Sequence, residues 1–249
     1  MVTLDADSIA RVLTEETPGP EAIFGHVAGT GFGRAWADRW PRPTALLAEV
    51  SGNYLLAGAP EAVDPAALRP LVTGFLAAPA AFEQVVTEAF PDRVVWDRVV
   101  YRLPPGRGVA APNHPDVRAL TPADAEAVAG LSEEIGWVSK TWGGPIGLAR
   151  YGHAYGAFVD DRLVALVGTF FQGLRHEDAV VATEPEFRRK GLATACAQAW
   201  CADVIRRGRI PSWTTAPDNE GSWRTAQRVG FELVRRDVLH VIGVPVPQD

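Results

Sequence analysis

The sequence predicts an α+β protein in two parts, and three features carry that reading. Two stretches, 44–57 and 154–171, are paired strand-like runs joined by Ser51-Gly52 and Asp160-Asp161, both hairpin signals. A valine-rich run at 179–182 passes through a basic loop with one glycine into a helical pattern, giving the order strand, loop, helix. Residues 104–115, PPGRGVAAPNHP, hold four prolines and two glycines in twelve residues and read as a linker. The boundary falls near 105–115, with an N-terminal α+β domain over 1–110 and a second domain over 116–249.

Composition narrows the function. The chain has 249 residues, 47% of them hydrophobic, enough for a substantial core. A net charge of -6 argues against a general nucleic-acid binder. The first residues carry acids and no apolar signal segment, and no apolar run approaches the ~18 residues of a membrane span. A cytoplasmic protein without a membrane partner is expected. The two cysteines, Cys196 and Cys201, lie five apart in one helical pattern, off a common face. They read as small buried apolar residues, with no zinc pattern and no metal.

Along the first part, Asp7 or Ser8 is placed to cap a helix reaching about Leu13, which 17–20 (TPGP) breaks. Glycines follow at 25, 29, 31 and 33; the GTGFG segment, 29–33, completes no nucleotide-binding fingerprint and reads as a flexible turn. A short strand is expected at 34–38 and the first hairpin at 44–57. Pro65 opens a helix over 66–76, and a second helix covers 81–90. One long strand, RVVWDRVVYRL, spans 93–103. In the second part, Thr121 caps a helix running to about Trp137, with Asp124 completing a capping box. A loop at 142–147 and the second hairpin follow. Next come a strand at 178–183, a helix at 192–207 ended by Gly208, and a short strand at 211–215. A helix capped by Asn219 and ended by Gly230 precedes one or two strands over 232–242.

The loop 183–191, TEPEFRRKG, is chemically the most telling stretch. A strand end, a helix start and basic side chains converge there on one point suited to phosphate oxygens. ATEPEFRRKGLAT resembles the acyl-CoA pyrophosphate motif R/Q-x-x-G-x-G/A, with Arg188, Gly191 and Ala193 at the marked positions. DNEGSWRTAQRVGF, through Asn219, Ser222, Gly230 and Phe231, is similar to the second signature of the same family, an Asn opening a helix that ends in Gly-Phe. On these motifs the chain resembles the GCN5-related N-acetyltransferase (GNAT) superfamily. WGGPIG, GLATACAQAWC and RIPSWTT are similar to a bacterial branch whose N-terminal segment looks like a degenerate partial copy of the fold. The resemblance covers 117–243 well and 1–110 loosely.

The resemblance implies a GNAT fold, with a mixed, mostly antiparallel central sheet flanked by helices. It implies an N-acyltransferase that moves acetyl from acetyl-CoA to a small-molecule amine in a ternary complex. Arg188, Arg189, Lys190, Gly191, Leu192, Ala193 and Thr194 would grip the diphosphate, with Asn219 and Ser222 nearby. Val181, Ala182 and Thr183 would pair with the pantetheine arm where their strand splays from 213–215; two ordinary paired strands are the alternative. The position of the family's usual acid, a tyrosine, holds Ala226. Ser222 is a candidate substitute, and equally an ordinary first-turn polar residue. Glu177 and Asp178, with His176 beside them, are candidate bases, and a charged turn explains each as well. Thr183 is placed to orient the thioester. Trp142, Trp213 and Trp223 are candidates for the acceptor pocket or for core packing. Glu184 and Glu186 are expected to point outward as solvated charges. An acyl-carrier protein as donor, and a non-catalytic acyl-CoA sensor, are the competing readings.

Overall fold

The computed structural model describes residues 1–12, 16–112 and 114–247. In chain order the first part holds β1 (Val2–Leu4), α1 (Ala6–Val12), α2 (Ala22–Thr30), β2 (Arg34–Ala37), β3 (Ala45–Val50) and β4 (Asn53–Gly58). After these come α3 (Pro65–Leu68), β5 (Gly74–Ala77), α4 (Glu83–Ala89) and β6 (Val94–Arg102). The second part holds β7 (Val117–Ala119), α5 (Ala125–Ala129), α6 (Pro145–Tyr151), β8 (Tyr155–Val159), β9 (Arg162–Gln172) and β10 (His176–Thr183). It ends with α7 (Leu192–Arg206), β11 (Ile210–Thr215), α8 (Glu220–Val229) and β12 (Glu232–Ile242).

Among the described residues, twelve strands form one sheet in the order β1-β2-β3-β4-β5-β12-β6-β11-β10-β9-β8-β7. That order is palindromic. β4 and β5 pair in parallel, as do β10 and β11, and every other neighbouring pair is antiparallel. The two parts therefore repeat one topology and exchange their last strands. β6 lies against β11 of the second part, and β12 lies against β5 of the first. The 104–115 stretch is irregular backbone, and the strands on either side of it share the sheet.

Both hairpins form where expected. Asp160 and Asp161 each take a positive φ, 50° and 62°, which a two-residue primed turn requires. Asn219 caps α8 by accepting the Ser222 amide at 2.9 Å, and Gly230 closes that helix in the left-handed region. Cys196 and Cys201 are fully buried on α7, packed in one core cluster with Trp200 and Trp213.

Four expectations fail. The first helix is capped by Asp5, which accepts the Ser8 amide at 2.8 Å, and not by Asp7 or Ser8; its expected end near Leu13 lies outside the described residues. Residues 22–30 form a helix that was not expected, and the turn expected of 29–33 begins only at its left-handed cap, Gly31. Gly25 sits where a Cβ would come within 2.7 Å of Gly173 Cα, so this glycine permits close contact with the turn between β9 and β10. The 66–76 helix stops at Leu68, and 74–77 is a strand, because Phe75 and its neighbours pair with both β4 and β12. The helix from Thr121 ends at Ala129, and α6 begins at Pro145 inside the expected loop, where proline suits the first helical position. The Thr121–Asp124 capping box forms, the Asp124 carboxylate accepting the Thr121 amide at 2.7 Å.

The first part braces the second. α2 packs on β9 as well as on β3 and β4. His26 of α2 is fully buried, its Nδ1 accepting the Gln172 amide and its Nε2–H donating to the Thr141 carbonyl, both at 3.0 Å. Burial pushes its pKa down to about 4, so it is neutral in this role. Glu16 accepts the backbone amides of Leu174, Arg175 and His176.

Candidate active site

The parallel pairing of β10 with β11 covers only His176↔Ile210, Glu177↔Pro211 and Asp178↔Ser212. Beyond it β10 continues to Thr183 paired with β9 alone, while 213–215 pair with β6. The strands thus splay, and one edge of β10 at Val181, Ala182 and Thr183 faces a gap. A cleft of about 1160 Å³ opens there. This exceeds the ~300–1,000 Å³ usual for one small ligand, so it has room for two substrates.

At one end the cleft is lined by Arg188, Arg189, Gly191, Leu192, Ala193 and Thr194. Gly191 has φ +84° with open space where a Cβ would project, and Arg189 also has a positive φ, 62°. α7 starts at Leu192 with no side chain capping its first turn, so its amides and its dipole point at this end. The Arg188 guanidinium is ion-paired with Glu134 at the mouth, and its Nε–H donates to the Thr183 carbonyl at 3.2 Å. Lys190 does not line the cleft: its Nζ lies 4.5 Å from the centre of the Phe187 ring.

Alternation along β10 separates the two candidate bases. Glu177 points away from the cleft. It is fully buried, ion-paired with Arg207 and Arg209 and bonded to the Thr169 hydroxyl. Those partners hold its pKa below the usual value against the desolvation that opposes them, so it anchors the α7–β11 corner instead of serving as a base. Asp178 points into the cleft. Its Oδ1 accepts the Ser212 hydroxyl at 2.8 Å and the Thr214 hydroxyl at 3.2 Å. The Gly19 amide donates to Ser212 Oγ at 3.2 Å, so the first part of the chain orients that hydroxyl. Desolvation pushes the Asp178 pKa up to about 6, against the two hydroxyls and the charges of Arg98 and Arg235.

Ser222 lines the cleft and accepts the Trp213 indole N–H at 3.0 Å. Asn219, Thr183 and Trp213 line it too. His176 does not; it is buried against Glu16. Trp142 is core, donating to the Thr169 carbonyl at 2.6 Å, and Trp223 donates to the Pro217 carbonyl. Ala226 is fully buried, so no side chain projects into the cleft from that position. Glu184 is 1% exposed and accepts the Ser132 amide at 3.0 Å, contrary to the outward orientation expected of it. Glu186 is exposed and paired with Arg162.

The cleft also takes residues the sequence reading missed. Tyr54, Phe75, Trp96 and Arg98 line it from the first part. The available signal was the period-2 alternation of 93–103, which sets Trp96 and Arg98 on one face.

A sequence model of the GNAT acetyltransferase family matches residues 112–236. A Streptomyces virginiae protein described as an uncharacterized N-acetyltransferase in the mutA 5′ region is 44% identical over 199 residues, 76% of this chain and 81% of the relative. The chain belongs to the GNAT acetyltransferase family. Its fold matches solved members over nearly its full length. A GCN5-related N-acetyltransferase-like protein from Streptococcus suis superposes with a TM-score of 0.72 at 19% identity, covering 95% of this chain and 98% of that one. A tandem GNAT protein from the clavulanic acid biosynthesis pathway gives 0.57 at 15% identity, covering 99% of both chains. In this GNAT N-acetyltransferase the N-terminal part repeats the strand topology of the part that the family model matches, as the palindromic sheet order displays. Among the described residues, no helix is long and apolar enough to cross a membrane.

Proposed function

We propose that this GNAT protein transfers an acetyl group from acetyl-CoA to the amine of a small molecule, both bound in the cleft at the β10–β11 splay. The observation that carries the proposal is Asp178, a buried carboxyl held between two hydroxyls on the cleft wall and pushed up to about 6. Above that pH it is ionised, and it takes the proton the amine nitrogen sheds on acylation, directly or through one water.

The donor end fits a CoA diphosphate. Arg188 and Arg189 bring charge, the α7 start brings amides, and Gly191 lets the backbone approach without a Cβ in the way. Arg188 would exchange Glu134 for phosphate oxygens. The edge of β10 freed by the splay, at Val181, Ala182 and Thr183, supports strand-like pairing with the pantetheine arm. Ser222, its oxygen already accepting from Trp213, is positioned to offer its own proton to the departing thiolate in the role Ala226 cannot fill.

The test is thiol release from acetyl-CoA against a panel of primary amines, with the wild type and Asp178→Asn side by side. Amine-dependent release that collapses in the variant supports the proposal. Tight acetyl-CoA binding without release for any amine would overturn it in favour of a sensor.

A further inference from the structure

The acceptor end of the cleft has its own chemistry, and reading it rests on the acyl-transfer proposal. Aromatic rings from both copies line it. The first copy supplies Tyr54, Phe75 and Trp96, with Phe75 and Trp96 ring centres 6.0 Å apart. The second supplies Trp137, Phe170 and Phe171. Phe170 stands edge-on to Trp137 at 5.8 Å and tilted against Phe171 at 4.6 Å. Trp96 and Arg98 sit where β6 runs past its pairing with β11, which stops at Val99. The Arg98 guanidinium lies 4.2 Å from the Trp96 ring centre.

Charge at this end is sparse and mixed. The acidic residues lining the cleft over its whole length are Glu134, Asp178, Asp218 and Glu220. Glu134 is paired with Arg188 and Glu220 with Arg224, and Asp218 stands beside the start of α8. Asp178 is the buried carboxylate of this lining, held by the Ser212 and Thr214 hydroxyls. A polyamine or amino sugar with several ammonium groups needs several carboxylates. A single amine on a flat apolar body fits this lining, since aromatic walls reward stacked and edge-to-face contacts.

We infer that the acceptor is a primary amine carried on an aromatic ring system, and that Phe75 and Trp96 of the degenerate first copy select it. The ring system packs among the aromatic side chains while the amine reaches Asp178. The first copy has thus become the acceptor wall of the second copy's active site.

The experiment measures steady-state acetylation of tryptamine, phenethylamine, spermidine and glucosamine by wild type, Trp96→Ala and Phe75→Leu. Calorimetry follows acetyl-CoA binding, and tryptamine binding in the presence of CoA. The aryl amines should lead in kcat/KM by at least about tenfold. Both variants should lose on the order of tenfold with them through KM, with kcat and acetyl-CoA affinity unchanged. Unchanged acetyl-CoA affinity also certifies that each variant is folded. Preference for spermidine or glucosamine, or an unchanged aryl-amine KM in both variants, overturns the inference and leaves acyl transfer standing. If no amine is acetylated yet tryptamine binds, and binds more weakly to Trp96→Ala, the aryl-amine site stands and the transfer proposal fails. Tryptamine that neither binds nor reacts overturns the inference.

Discussion

The two copies of the fold differ most at the point where each parallel strand pair ends. In the second copy the last pair before the splay is Asp178↔Ser212, a carboxylate and a hydroxyl. In the first copy it is Leu55↔Ala77, both buried and apolar. The crossovers differ in the same sense. β10 reaches β11 through a basic loop and a 15-residue helix, whereas β4 reaches β5 through a short turn and the four-residue α3. One topology thus holds a site in one half and a scaffold in the other. The lesson is that the topology supplies only the gap between strands, while charge, helix dipole and hydroxyls decide whether the gap does chemistry. The scaffold half still acts on the site, through Gly19 on Ser212, His26 between β9 and Thr141, and the aromatic wall.

The comparison breaks most visibly at its matched pair. Asp178→Asn should lower kcat by about 10²–10⁴, while Leu55→Ala should cost about 2–5 kcal/mol of stability and leave the pH profile intact. Wild-type activity should rise as pH is raised through about 6, because the base works only when ionised, and this limb should vanish in Asp178→Asn. The stability sign is the reverse. The folded pKa lies above the ordinary 3.8, so the stabilising protonated form is lost as pH rises through about 6. Thermal melts should therefore show Asp178→Asn gaining on wild type across that window.

The link between the copies is the next test. His26→Ala strands the Thr141 carbonyl and the Gln172 amide and should cost about 2–4 kcal/mol in denaturant unfolding. At the donor end, Gly191→Leu forces a side chain into φ +84° and into the cleft. It should weaken acetyl-CoA binding by roughly tenfold or more in calorimetry. No equivalent loss should follow from substituting the 59–73 crossover of the first copy. The smallest effects contrast two glycines of α2. Gly25→Val collides with the 173–174 backbone and should cost about 1–3 kcal/mol. Gly29→Ala meets open space and should raise stability by up to about 1 kcal/mol.

Much of the second copy was legible because its signals are local. A turn residue or a cap acts on its own neighbours, so the Asp160-Asp161 turn, the Asn219 cap and the Gly230 helix end could be placed by position alone. The first copy was read less well. Residues 22–30 carry two glycines, Gly25 and Gly29, which disfavour a helix, yet packing against Gly173 overrides that preference. Phe75 belongs to a strand because β12, far along the chain, pairs with it.

By itself the sequence determined the α+β class, the order of most elements, the acyl-CoA motif and the buried state of both cysteines. The class, the element order and the cysteine burial follow from periodicity and turn chemistry acting over a few residues, and the acyl-CoA motif from its resemblance to the GNAT family. Tertiary structure alone decided that Asp178 faces the cleft while Glu177 turns inward to Arg207 and Arg209. A one-residue step along a strand reverses the face, and only packing on the two sides says which face is which. It alone also joined the copies by exchanging β6 and β12, because strand pairing across more than a hundred residues leaves no local trace. That exchange carries Trp96 and Arg98 to the wall of a cleft whose basic loop lies in the other half of the chain.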